Sequence, residues 1–118
     1  MSKQGLSRSF SCAFAGLFDA FHHERNMKIH LIAAVSASAF GFIVGLGRLE
    51  WGLIVLSIFL VLIAETINSA IEKTVDLFTE DYHPLARMAK NLAAGAVLLS
   101  ALNALIMAFI VFAPYCFR

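Results

Sequence analysis

The chain has 118 residues, room for one domain, and its 60% apolar against 14% charged residues, with a mean hydropathy of +0.81, exclude an ordinary water-soluble domain and indicate an integral membrane protein. A net charge of +1, with no basic stripe interleaved with aromatics, leaves no footprint for nucleic acid, so none is expected as a partner. Cys12 and Cys116 fall on opposite membrane faces by the topology below, which excludes pairing within one chain.

The opening "MSKQGLSRSFSCAFAGLFDAFHHERN" lacks the unbroken apolar core and small-residue cleavage site of a signal peptide and is expected to be retained. Over about residues 5–26, Leu6, Phe10, Ala13, Phe14, Leu17, Phe18 and Phe21 share an arc of about 140°, opposite Arg8, Ser11 and Asp19. That pattern predicts an amphipathic helix lying in the membrane interface. Glu24 projects onto its apolar side if the helix continues that far, and an acid there needs a partner.

Three helices containing the membrane spans follow, at 29–47, 51–76 and 87–113. A hydrocarbon core of about 30 Å needs roughly 20 helical residues. The first and third segments meet this requirement. The second has only 14 clean apolar residues, from Trp51 to Ala64, enough for about 21 Å, so it must carry Glu65 and Asn68 into the bilayer edge. Gly41 and Gly45, and the "AAGA" at 93–96, are small-residue pairs that favour close helix contact. Pro84 in "TEDYHPLAR" sets a short polar connection between the second and third spans. Seven Lys or Arg residues precede the first span or separate the second from the third, against two on the other side, which predicts a cytoplasmic N-terminus. The fold class is therefore all-α integral membrane, one interfacial helix and three transmembrane helices in a single domain.

The second span ends in "AETINSAIEKTVDL". At about 100° per residue, Glu65, Asn68, Ser69, Glu72 and Asp76 form one polar stripe about 100° wide. Glu72 lies about 10 Å and Asp76 about 16 Å beyond Glu65 along the axis, toward the cytoplasm. An intramembrane carboxylate costs at least about 2.5 kcal/mol and persists when it has a partner or a task. Glu65, the deepest, is placed to take a proton; polar glue between helices is the other use of such a residue. Hard divalent cations take carboxylate oxygens, and magnesium needs only one or two of them beside phosphate and water, which Glu24 and Glu72 could supply. Arg87 and Lys90 lie on the same side and could hold phosphate. His22, His23, His30 and His83 have no spacing suggestive of a zinc site and read as interfacial residues. Neither a P-loop nor a dinucleotide-binding glycine motif is present.

"ERNMKIH", "AETINSAIEKTVDL", "YHPLARMAK" and "AAGAVLL", together with the three spans, resemble the bacterial membrane diacylglycerol kinase and undecaprenol kinase family over nearly the whole chain. The resemblance implies a homotrimer in the bacterial plasma membrane with composite sites between subunits at the cytoplasmic surface, using ATP and Mg2+ to phosphorylate a lipid alcohol. It implies Glu65 as the general base for the lipid hydroxyl with Asn68 beside it, Glu24 and Glu72 as metal-binding acids, Lys90 as a phosphate contact and Asp76 as a nucleotide contact. Where the family has Lys-Asp this chain has Lys90 and Asn91, and the amide loses a charge and exchanges one acceptor for a donor at the nucleotide site. "ERNMKIH" and "YHPLA" resemble the undecaprenol kinases more than the diacylglycerol kinases. Two other classes fit parts of the residue pattern: a small proton-coupled transporter cycling protons on Glu65, and a non-catalytic membrane scaffold.

Overall fold

The computed structural model describes residues 3–117, leaving Arg118 of the orientation argument outside the described residues, as is the Lys3 side chain. Four helices account for nearly all of them: α1 (Lys3–His23), α2 (Arg25–Val44), α3 (Arg48–Phe78) and α4 (Pro84–Cys116). The last three are each long and apolar enough to cross a membrane.

The helix expected to run through residue 26 breaks at Glu24, whose φ of −104° and ψ of 124° are extended. No glycine or proline forces this break. His22 and His23 bring their Nδ1 atoms to 3.2 and 3.1 Å from the carbonyl oxygens of Phe18 and Asp19, folding both rings back along the end of α1. Glu24 itself reaches α3, accepting from Ser69 and Lys73. Most of the apolar stripe on α1, including Phe10, Phe14 and Phe18, remains exposed.

Between α2 and α3 the chain turns within three residues. Gly45 has φ +76°, the left-handed conformation that favours glycine, and the amides of Gly45 and Leu46 both donate to Gly41 O. Glu50 then accepts from the Gly47 amide at 3.0 Å, capping the start of α3. Gly45 is thus a turn residue rather than half of a helix-packing pair. Gly41 does serve close packing, against its own turn: a Cβ there would lie 2.9 Å from Leu46 Cδ1 and from Trp51 Cη2. Gly41→Ala is expected to cost about 1–3 kcal/mol through overpacking, read as a lower Tm in detergent. Gly16→Ala on α1, where an added methyl meets nothing within 4 Å, should show no such fall.

Proline at the first turn of α4 costs no hydrogen bond, and His83 Nδ1 accepts from the Leu85 amide at 3.2 Å. Helices α3 and α4 pack antiparallel along their length, tied by Lys90 to Asp76 at one end, Asn103 to Ser57 midway and Tyr115 to Glu50 at the other. Helix α2 packs on α3 and scarcely touches α4. Ile54, Ser57, Val61, Glu65, Asn68 and Ser69 are the buried residues of α3 and follow one helical face. That face is apolar where Leu46, Ile54 and Val111 cluster and polar toward Phe78. Many large apolar side chains, Phe42, Leu105 and Phe109 among them, are exposed on the single chain. An added Cβ at Gly95 meets nothing within 4 Å, so this part of the α4 small-residue face is open.

Candidate active site

The polar half of the α3 stripe carries the densest group of ionisable and amide side chains inside the bundle. Glu65 is 3% exposed and Asn68 4%, whereas Glu72 and Asp76, one and then two turns further on, reach the surface. Asn68 Nδ2 donates to Glu72 Oε1 at 3.3 Å. From the break between α1 and α2, Glu24 accepts from Ser69 Oγ at 2.5 Å and from Lys73 Nζ at 2.9 Å. Burial pushes the Glu24 carboxyl up, but the hydrogen bonds from Ser69 and Lys73, with the lysine charge, outweigh it and hold Glu24 below its ordinary value of 4.5. Glu24 is therefore an anion at neutral pH.

Two buried acceptors in this group lack a hydrogen-bond donor, Glu65 Oε2 and Asn68 Oδ1. Leaving such atoms unsatisfied costs about 1–3 kcal/mol each, and a group that brings an O–H or a cation recovers it. Asn68 also opens onto a groove of about 870 Å³ between α3 and α4, walled by apolar side chains such as Ile67, Leu92 and Leu99. A molecule with a hydroxyl and a long apolar chain matches this arrangement.

The other expected residues form a second group nearer the end of α3. Lys90 Nζ lies 2.7 Å from Asp76 Oδ1, so two candidate nucleotide contacts neutralise one another. Asn91 and Arg87 line a polar groove of about 420 Å³ with Lys90, Tyr82 and His83, and the Arg87 guanidinium lies 5.9 Å from the centre of the Tyr82 ring. The structure thus groups Glu24 and Glu72 around the buried Glu65 and Asn68, and Asp76, Arg87, Lys90 and Asn91 in a separate, shallower patch.

For magnesium the donor set is of the right kind. Among the described residues no three His, Cys, Asp or Glu side chains form a complete metal cage, but magnesium asks for one or two carboxylates and completes its shell with phosphate oxygens and water. Glu24, fastened to Ser69, and Glu72, fastened to the adjacent Asn68, fit that requirement.

Two residues absent from the expected site belong to it geometrically. Ser69 lies on the polar stripe, and its hydroxyl fastens Glu24. His30, expected to be interfacial, has its Nε2 3.8 Å from Glu65 Oε2. Spacing on α3 placed Ser69 on the correct face, but nothing in the sequence linked His30 to a helix that begins 18 residues later.

Residues 11–112 match the family described as prokaryotic diacylglycerol kinase. The chain is 41% identical over 107 residues to the undecaprenol kinase of Bacillus subtilis, covering 91% of this chain and 87% of that one. It is 40% identical over 100 residues to a diacylglycerol kinase of Synechocystis, covering 84% of this chain and 57% of that longer relative. With the diacylglycerol kinase of Escherichia coli K12 it shares 31% identity over 105 residues, 86% of each chain.

Proposed function

Because the chain belongs to the prokaryotic diacylglycerol kinase family of membrane lipid kinases, we propose that it transfers the γ-phosphate of ATP to the hydroxyl of undecaprenol, forming undecaprenyl phosphate and ADP. The observation that carries this assignment of the site is Glu65: a carboxylate only 3% exposed, one helical turn from an amide that opens onto an apolar groove. The preference for undecaprenol is supported by the similarity to the Bacillus subtilis enzyme and by the "ERNMKIH" and "YHPLA" motifs.

In this reading the lipid hydroxyl donates its proton to Glu65, its oxygen bonds to the γ-phosphorus, and the bond from that phosphorus to the β–γ bridging oxygen breaks, releasing ADP. Asn68 holds the hydroxyl beside Glu65. Lys90 and Arg87 neutralise phosphate charge, and Asp76 and Asn91 contact the nucleotide. Glu24 and Glu72 would hold Mg2+, which when bound screens the charge of the phosphates. Phosphoryl transfer asks for position and charge neutralisation more than for covalent chemistry from the protein, so this small set suffices. The working unit is a homotrimer, supported by the large apolar faces of α3 and α4 that the single chain leaves exposed. Its N-terminus and acidic end lie at the cytoplasmic face of the bacterial plasma membrane, supported by the basic residues flanking the spans, with α1 lying in the interface.

The test is turnover by the purified protein in detergent with ATP and either undecaprenol or a diacylglycerol. The expected result is a kcat/KM at least about tenfold higher for undecaprenol, a difference of about 1.4 kcal/mol. A reversed preference makes the protein a diacylglycerol kinase, and no turnover of either lipid removes the kinase reading.

A further inference from the structure

His30 stands six residues after Glu24, about 9 Å along α2, and its imidazole is largely enclosed, with 19% of the side chain exposed. An ionisable residue within a membrane helix needs a partner. On one side His30 lines a cleft of about 340 Å³ between α2, α3 and α4, whose walls near it are Ala33, Ala34 and Ala37. Those side chains offer no polar atom. The cleft's Ser57 hydroxyl is engaged by Asn103. On the other side lies Glu65 Oε2, at 3.8 Å, the buried acceptor without a donor. Among the described residues, the approach to Glu65 is the one polar side-chain contact shown for His30.

We propose that His30 is a positioning residue for phosphoryl transfer: its Nε2–H holds one carboxylate oxygen of Glu65 so that the other oxygen faces the lipid hydroxyl. This rests on the assignment of Glu65 as the base. The present 3.8 Å shortens to hydrogen-bond length by a small side-chain rotation, as catalytic contacts do when substrate binds. A carboxylate held through one oxygen has one remaining direction in which to accept a proton, which is how a third group orients a base in other active sites. The donor comes from α2 and the acceptor from α3, so the contact also registers these helices at the depth where the reaction takes place.

The test compares His30→Leu, His30→Met and His30→Gln in the full chain with Glu65→Gln, measuring kcat, KM for ATP and assembly by size-exclusion chromatography in detergent. The apolar variants are expected to lose about tenfold to a hundredfold in kcat with KM for ATP within about twofold. Glutamine, which keeps an N–H donor at similar reach, is expected to restore kcat to within about threefold of the parent. Wild-type kcat in an apolar variant overturns the proposal. So does a glutamine variant as slow as leucine, a loss confined to KM, or failure of both apolar variants to assemble. If Glu65→Gln keeps its kcat, the base assignment falls together with the role of His30; if Glu65→Gln is inactive while His30→Leu is not, only the role of His30 falls.

Discussion

Glu65→Gln is expected to lower kcat by about 10²- to 10⁴-fold, the usual contribution of a positioned general base, with helicity and assembly unchanged. The amide has nearly the shape of the carboxylate, so packing around this 3% exposed side chain is retained. Its new N–H donors enter a neighbourhood in which Asn68 Oδ1 is a buried acceptor without a donor, which limits the cost of burying them. Chemistry fails because an amide cannot take the hydroxyl proton. KM for ATP should move little, since the proposed nucleotide contacts, around Asp76 and Lys90, lie about three turns away. The check is steady-state turnover beside circular dichroism and size-exclusion chromatography in detergent. A variant that assembles and turns over at the parent rate removes Glu65 from the reaction.

Lys90→Met should lower kcat/KM for ATP by about 10²- to 10³-fold, the scale on which loss of a single charged or hydrogen-bonding contact to a reacting phosphate or oxyanion is felt. Its methylenes have an apolar replacement of similar length, so the helix is preserved. In the structure Lys90 Nζ sits 2.7 Å from Asp76 Oδ1. Removing the ammonium therefore does more than delete the proposed phosphate contact, because it also leaves the Asp76 carboxylate without its cation in the proposed nucleotide patch. Lys90→Arg, which keeps the charge, should recover part of the loss. Varying ATP at saturating lipid separates the effects, and an unchanged KM for ATP in Lys90→Met would count against the nucleotide assignment of this patch.

Much of this architecture was legible in residue order because a bilayer punishes irregular backbone and exposed polar groups. A helix crossing it must show as a long apolar run, and the spans of α2, α3 and α4 did. The polar stripe on α3 was also readable, since a helix converts spacing into angle: Glu65, Asn68 and Ser69 are the buried members and Glu72 and Asp76 the exposed ones. Gly41 and Gly45 could not be told apart, because a small-residue pair looks the same whether it packs helices or closes a turn. Only the backbone, with φ of +76° at Gly45, separates the two roles.

The break at Glu24 shows the same limit from another direction. Helix propensity over "FHHERNMK" contains no stop, and the interruption is set by what Glu24 reaches on α3, 45 and 49 residues away at Ser69 and Lys73. By itself, then, the sequence determined a three-span helical membrane protein with a graded acidic face, because periodicity and hydropathy are local properties of a helix. The tertiary structure alone decided where that face meets the rest of the chain. It brings Glu24 to Ser69 and Lys73, Asp76 to Lys90 and His30 to Glu65, pairings between helices that depend on crossing geometry and rotation about each axis, which no spacing along a single segment encodes.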